Sequence, residues 1–234
     1  MIDPKELSIW REAFKKTGAI EIGNIFSQQT KSYIKGSAKL LYNKFNWEEN
    51  FKNFNVKHSE KNSLYCKSMY CCHLGESILS FLTPLYSKIS QKKLIPTYSY
   101  FRQYRKGASL VPHVDRGSCQ YSATLQIDTS KNEVWPISFY NKDRQIISSK
   151  GGIFSLAFYK GEEVLHWREP LPYEYSTHLF LHWIDGSDPI YKDFAYDCRE
   201  GIFSESTKDS IEKRKIANKK HSEFIFQKQF GSPK

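Results

Sequence analysis

The sequence predicts a mainly β domain, a barrel or sandwich, with flanking helices packed ahead of it. Three observations carry this. Short aromatic and β-branched runs crowd residues 98–185, separated by Gly, Asn, Lys and Asp. The residues before them recur at helical rather than alternating spacing. The chain has 234 residues, of which 39% are hydrophobic and 15% aromatic; that supplies a real core, and β-barrels of this length are routinely single domains.

In chain order, Asp3, Pro4 and Glu6 read as an N-cap, a first-turn proline and a capping-box partner. Leu7, Trp10 and Phe14 continue at helical spacing, and Gly18 ends the helix. AIEIGNIF (19–26) alternates as a short strand. Ser27 to about Phe45 reads as a second amphipathic helix. Residues 46–75 are polar and irregular, a predicted mobile loop. ESILSFLTPLYSKIS (76–90) has helical periodicity and is expected to kink or break near Pro84. From Tyr98, the runs YSYFRQY, YSATLQID, VWPISFY, GGIFSLAFY and STHLFLHWID read as strands, ending near Asp185. An irregular stretch follows, then a basic helical segment around 207–220. One domain is expected, with a mostly helical support over 1–94, a β core over 95–186 and a basic extension over 187–234.

The net charge is +10. Thr207–Lys234 holds eight Lys/Arg against three Asp/Glu, about half the excess. Nucleic acid, anionic lipid or an acidic partner would be drawn to such a balance, but a solvated lysine-rich face is the simpler reading, and the tail is expected to be solvated. No apolar run is long enough to span a membrane. The charged N-terminus has no signal-peptide core, so a cytoplasmic protein is expected. Five cysteines, an odd number, with no secretion signal argue against a disulfide framework. YCKSMYCCH (65–73) lacks the second pair of a zinc knuckle, so buried or idle thiols fit it better. Nothing in the sequence addresses oligomeric state.

The chemistry concentrates in PHVDRGSCQYSATLQID (112–128). Side chains alternate along a strand, so His113 and Asp115 share a face and reach one ion. Their nitrogen and oxygen donors suit iron, manganese or zinc. The next histidine, His166 in VLHWREP, closes another predicted strand. Two histidines and a carboxylate form the facial triad of non-heme Fe(II) oxygenases, which leaves positions open for cosubstrate and O₂. A lone HxD also fits a surface histidine beside a turn-capping aspartate; the later strand-borne histidine favours the metal.

With PTYSYFRQYRKGASLVPHVDRGSCQYSATLQID, YKGEEVLHWREPL and HLFLHW together, the chain resembles the Fe(II)/2-oxoglutarate-dependent dioxygenases. It is most similar to a prolyl-hydroxylase-like bacterial and phage subgroup with HxDR and HWREP motifs. The resemblance covers about residues 95–186. It implies a double-stranded β-helix, a cupin-like jelly roll. It implies Fe(II) on His113, Asp115 and His166, with 2-oxoglutarate and O₂ as cosubstrates. The implied reaction hydroxylates an unactivated C–H of a small-molecule or peptide substrate and releases succinate and CO₂. Halogenating relatives carry a small residue where Asp115 stands, so hydroxylation is implied.

One departure matters. Relatives hold the far carboxylate of 2-oxoglutarate with Arg or Lys nine to ten residues after the second histidine; Tyr175 and Ser176 stand there. Replacements come from strand faces. Tyr100, Arg102 and Tyr104 share one face, Thr124 and Gln126 another, and His178 and His182 a third. The cosubstrate candidates are Arg102, Tyr104, Gln126, His178 and Arg168. Arg116, Thr124 and His182 are candidates for supporting the metal ligands or touching substrate. Tyr104 equally fits plain core, His178 and His182 satisfied core histidines, and Arg168 a loop cap. Arg102 is the expected anchor, because it lies two residues from Tyr104 whereas Arg168 lies two from a metal ligand. Two other functions compete. An oxidative nucleic-acid demethylase suits the charge but lacks that group's arginine-rich signature after the distal histidine. A non-catalytic β-helix binding module is disfavoured by the intact triad.

Overall fold

The computed structural model describes residues 3–44, 66–141, 143 and 145–230. Helix α1 (Pro4–Thr17) starts where the Asp3 side chain accepts from Lys5 N at 2.9 Å and stops at Gly18, whose φ of +75° is left-handed. Strand β1 (Ala19–Ile22) and helix α2 (Gln28–Lys44) follow as predicted. Of the predicted loop over 46–75, residues 46–65 lie outside the described residues. The remainder is ordered differently: Cys66–Tyr70 is strand β2, and helix α3 (His73–Ser90) begins at once, capped by Cys72. Polar Lys67 and Ser68 hid β2, because it is an edge strand with only Cys66 fully buried. Helix α3 also runs through Pro84 rather than breaking there. The carbonyl that loses its donor belongs to Ser80, an exposed residue, so water can satisfy it.

Eight more strands follow and, with β1 and β2, form two facing layers: β3 (Leu94–Arg105), β4 (Leu110–His113), β5 (Tyr121–Thr129), β6 (Ser138–Tyr140), β7 (Ile146–Ser148), β8 (Leu156–Lys160), β9 (Leu165–Arg168) and β10 (Tyr175–Asp185). The larger sheet has the order β1-β8-β5-β10-β3-β2 and the smaller β4-β9-β6-β7, with every pairing antiparallel. The runs VWPISFY and GGIFSLAFY supply less strand than their composition predicts, since only Ser138–Tyr140 and Leu156–Lys160 pair.

Period-two alternation decides what each face does. On the outer face of the larger sheet, Phe101, Leu125, Leu181 and Trp183 pack with Phe14, Leu79, Leu82 and Tyr86 from the helices. Phe158 stacks between Phe14 at 4.6 Å and Tyr86 at 4.0 Å. Side chains of this size contribute about 1.5–3 kcal/mol each when fully buried, so the helices are held as a layer of the core. The opposite face, turned to the smaller sheet, carries Ser122, Thr124 and Gln126 on β5 and His178 and His182 on β10. These polar residues are buried, so they need partners, and the site lies among them.

The C-terminal segment is not a solvated tail. A turn at Lys192–Cys198 and helix α4 (Lys208–Phe230) fold back onto the barrel mouth. Ser210, Ala217 and His221 are buried, and Arg214 pairs with the fully buried Asp197 at 3.0 Å. These four fall on one helical stripe. The stripe is made of small and polar residues, which is why hydrophobic periodicity passed it over. No described helix is long and apolar enough to cross a membrane.

Candidate metal centre

His113 is the last residue of β4 and pairs directly with His166 of β9. Asp115 lies just past the strand end, where its N–H donates to the Gly161 carbonyl at 2.8 Å. The strand-face expectation for His113 and Asp115 is therefore corrected. The turn after β4 brings Asp115 round; a shared strand face does not. The three side chains still converge. Their ligand atoms lie within 4.8 Å of one another, and Asp115 Oδ1 is 3.6 Å from Nε2 of both histidines.

The histidine tautomers are set by the backbone. Nδ1 of His113 contacts the Val111 carbonyl at 2.8 Å, and Nδ1 of His166 the Val164 carbonyl at 2.9 Å. A carbonyl only accepts, so both Nδ1 atoms carry hydrogen, and Nε2 is left as the atom that each ring turns toward Asp115. This is how a metal-ligating imidazole is oriented. Burial alone would raise the Asp115 carboxyl, but hydrogen bonds from His113 and His166 outweigh it and hold the group well below the usual carboxylate range.

Asp115 is steadied from behind. Ser122 donates to Asp115 Oδ2 at 2.8 Å, and its oxygen lies 2.9 Å from His182 Nδ1. Burial, outweighing the nearby Asp115 charge, pushes His182 down to about 4, so its ring is neutral and Nδ1 can donate to Ser122. Tyr98 covers His182 at 4.5 Å between ring centroids, and Tyr159 covers His166 at 4.7 Å. Cys119 joins Asp115 and His182 in a second grouping able to hold an ion, but burial pushes its thiol up to about 12. A neutral thiol is a poor ligand, so the His113–Asp115–His166 set fits a metal better.

Deeper in the barrel, Arg168 sits two residues along β9 from His166 and is only 3% exposed. One arm donates to the Trp135 carbonyl, the other to Thr124 Oγ1 at 3.2 Å. Its Nε has no hydrogen-bond partner among the described residues. Burial lowers its pKa to about 10, countered only by tyrosines; no carboxylate among the described residues balances the charge. Nearby, His178 Nδ1 is also buried without a partner among the described residues, while Nε2 contacts Ser176 Oγ at 2.8 Å. Burial, and then Arg168, hold that ring well below its ordinary range. Tyr104 and Trp135 close the space, 5.8 and 5.7 Å from the His178 ring.

The other candidates are placed as follows. Arg102 is half-buried, its guanidinium carbon 4.9 Å from the Tyr100 ring and 5.5 Å from the Tyr104 ring. The Gln126 amide is engaged with the 133–135 segment, donating to Glu133 O and accepting from Trp135 N. Arg116 stacks on Tyr98 at 5.1 Å and reaches Asp197 at 3.5 Å. Sequence reading missed Ser122, Trp135, Tyr159 and Asp197. Ser122 was accessible to it, being in step with Thr124 and Gln126; Asp197 carried no local signal.

No protein-family model matches the chain, and no curated protein matches it. Solved structures do. An oxidoreductase of the 2OG-Fe(II) oxygenase family from Burkholderia pseudomallei is similar at 9% identity and a TM-score of 0.58, over 78% of this chain and 92% of that one. SnoN, a non-heme α-ketoglutarate-dependent epimerase from nogalamycin biosynthesis, is similar at 10% and 0.61, over 79% and 85%. A prolyl hydroxylase from Trichoplax adhaerens, in complex with a hypoxia-inducible-factor peptide fragment, is similar at 12% and 0.58, over 79% and 94%. The fold is the double-stranded β-helix of these oxygenases. At such identities the likeness extends to the fold alone.

Proposed function

We propose that this chain is an Fe(II)- and 2-oxoglutarate-dependent oxygenase that hydroxylates an unactivated C–H bond of a small-molecule or peptide substrate. The observation that carries the reading is the donor set: two imidazole Nε2 atoms, each fixed by a backbone carbonyl behind it, facing one carboxylate. Nitrogen and oxygen donors of this kind suit Fe(II). Bound iron, with 2-oxoglutarate and O₂, supplies the oxidising chemistry, turning C–H into C–OH as 2-oxoglutarate becomes succinate and CO₂.

The chain's own residues then have separate tasks. His113, Asp115 and His166 hold the ion, and Ser122 fixes which Asp115 oxygen faces it. We assign the far carboxylate of 2-oxoglutarate to Arg168 rather than Arg102. Two residues along a strand is roughly 6.6 Å, about the span of a five-carbon diacid, so nearness to His166 in sequence favours Arg168 instead of excluding it. Arg168 is also a buried cation with no anion beside it among the described residues, which is costly unless a ligand supplies one. Thr124, His178 and Tyr104 line the same space, and Gln126 acts at one remove by holding Trp135, whose carbonyl takes one arm of Arg168. Tyr98 and Tyr159 wall the site on the His182 and His166 sides.

The test is anaerobic Fe(II) titration together with succinate release from 2-oxoglutarate under air. Wild-type protein should bind one Fe(II) per chain and release succinate; His166→Ala should lose both. Asp115→Gly should lose hydroxylation. Undiminished metal stoichiometry in His166→Ala would remove it from the ligand set and sink the reading.

A further inference from the structure

Arg116 directly follows the metal ligand Asp115 in the chain, and two contacts fix its guanidinium. It stacks on the Tyr98 ring at 5.1 Å, and Nη2 donates to Asp197 Oδ1 at 3.5 Å. Asp197 is fully buried and is shared: its other carboxylate oxygen accepts from the Tyr70 hydroxyl at 2.6 Å and lies 3.0 Å from Arg214 Nε. The backbone presenting it is left-handed at three consecutive residues, Tyr196, Asp197 and Cys198, with φ of +53°, +54° and +65°. Such a run is costly for residues with a side chain and persists only where the surroundings enforce it. The turn at Lys192–Cys198 thus places one carboxylate between two guanidiniums.

Two cations against one carboxylate leave a positive charge, and exposure shows where it acts. The Arg214 side chain is 20% exposed and that of Arg116 39%. Arg116 lines a cleft of about 800 Å³ between α4 and the metal-bearing turn, within the range of small-ligand sites. The acids lining that cleft are each matched. Asp115 faces His113 and His166, Glu162 lies 2.9 Å from His221 Nε2, and Glu163 lies 3.0 Å from Lys160. Among the described residues, no carboxylate other than Asp197 pairs with Arg116. A guanidinium carries five N–H donors in a planar fork, and the bond to Asp197 engages one of them. That fork matches the paired oxygens of a carboxylate or phosphate. Lys228 adds a second cation to the cleft from α4.

We propose that Arg116 determines specificity: it takes an anionic group, a carboxylate or phosphate, of a ligand seated in this cleft, and that ligand is the substrate. The last clause rests on the oxygenase reading; the anion site does not. Tyr98 and Asp197 hold the guanidinium in place, so little side-chain freedom is lost when the anion binds. Val114 and Phe226, both exposed and both lining the cleft, supply apolar contact for the stem of the ligand. A ligand held there lies against the turn that carries Asp115.

The experiment measures equilibrium binding to the full chain without iron or 2-oxoglutarate, so that its outcome is independent of the metal chemistry. The probes are hexanoate, hexyl phosphate and hexanamide, which share an apolar stem and differ in head group. At least one anionic probe should bind about tenfold or more tightly than hexanamide, and the tighter of the two assigns the anion as carboxylate or phosphate. Arg116→Gln should weaken that probe by roughly tenfold to a hundredfold, the weight of one hydrogen bond to a charged group, and leave hexanamide unchanged. Arg116→Lys, which keeps the charge without the fork, should restore part of the loss. Arg168→Met should retain the preference for the anion, which separates this site from the buried arginine assigned to 2-oxoglutarate. Equal binding of the three probes, no binding of either anion, an undiminished anion affinity in Arg116→Gln, or loss of the preference in Arg168→Met would overturn the proposal. Succinate release from the same preparation with iron restored reports the oxygenase reading separately.

Discussion

The amide of Asp115 donates to the carbonyl of Gly161 at 2.8 Å, and any side-chain carbon at Gly161 would collide with the Asp115 carboxylate and the Cys119 carbonyl. The β8–β9 connection thus presses directly on the turn that presents the carboxylate ligand. Gly161→Ala should push Asp115 out of line while the sheets remain paired. Fe(II) affinity is expected to fall about 10- to 100-fold, the usual weight of a support lost behind a metal ligand, with the circular dichroism of the wild type retained. Wild-type affinity in a metal titration would show that the turn can give way.

Arg168→Ala should raise the Michaelis constant for 2-oxoglutarate steeply and leave Fe(II) binding intact. Losing a buried charged hydrogen bond costs on the order of 2–5 kcal/mol, or roughly 30-fold to several-thousand-fold in affinity. Arg102→Ala should act much less, since that guanidinium lies against the Tyr100 and Tyr104 rings. Arg168→Met should also leave the thermal stability of the ligand-free protein unchanged or raised, because it removes an uncompensated buried charge. A larger effect of Arg102→Ala on 2-oxoglutarate would move the anchor to β3.

Ser122→Ala removes the bond to Asp115 Oδ2 and strips His182 Nδ1 of its contact. Fe(II) binding should weaken by about tenfold or more. The measurement is a competitive titration against a chelator of known affinity; an unchanged midpoint would mean that the histidines alone orient the carboxylate.

His182 gives the ligand-free protein an acid sensitivity. Its pKa is depressed by burial from 6.5 to about 4, so the folded state binds fewer protons than the unfolded state between those values. Stability is therefore full above about pH 6.5 and is lost as pH falls toward about 4, by as much as about 3 kcal/mol. Thermal unfolding of wild type and His182→Gln across that window should show a shallower decline in the variant. Parallel curves would assign the acid response elsewhere.

Truncation after residue 206 should destabilise the protein. It deletes the Arg214 partner of the fully buried Asp197 and uncovers Phe194, which packs with Ala217. Breaking such a buried pair costs about 3–5 kcal/mol, or roughly 6–20 °C in melting temperature for a chain of this size. A melting temperature within 2 °C of wild type would return α4 to the status of a solvated appendage.

The sequence by itself determined the strand-rich core, the helices ahead of it and the three residues that converge at its mouth. Those signals are local. Alternation in YSATLQID and STHLFLHWID follows from a pleated strand with one face on the helices, and HxD with a later strand-borne histidine is legible because donor chemistry belongs to residue type. The tertiary structure decided what local patterns do not encode. Asp115 reaches the ion through a turn held by Gly161, a contact made across 46 positions of chain. Arg168 is the buried guanidinium with no carboxylate against it among the described residues, because burial and partners depend on what the facing layer supplies, here Trp135 and Thr124. Helix α4 closes on the metal-bearing turn through Ser210, Arg214, Ala217 and His221, a stripe that only the shape of the surface beneath it marks as an inner face.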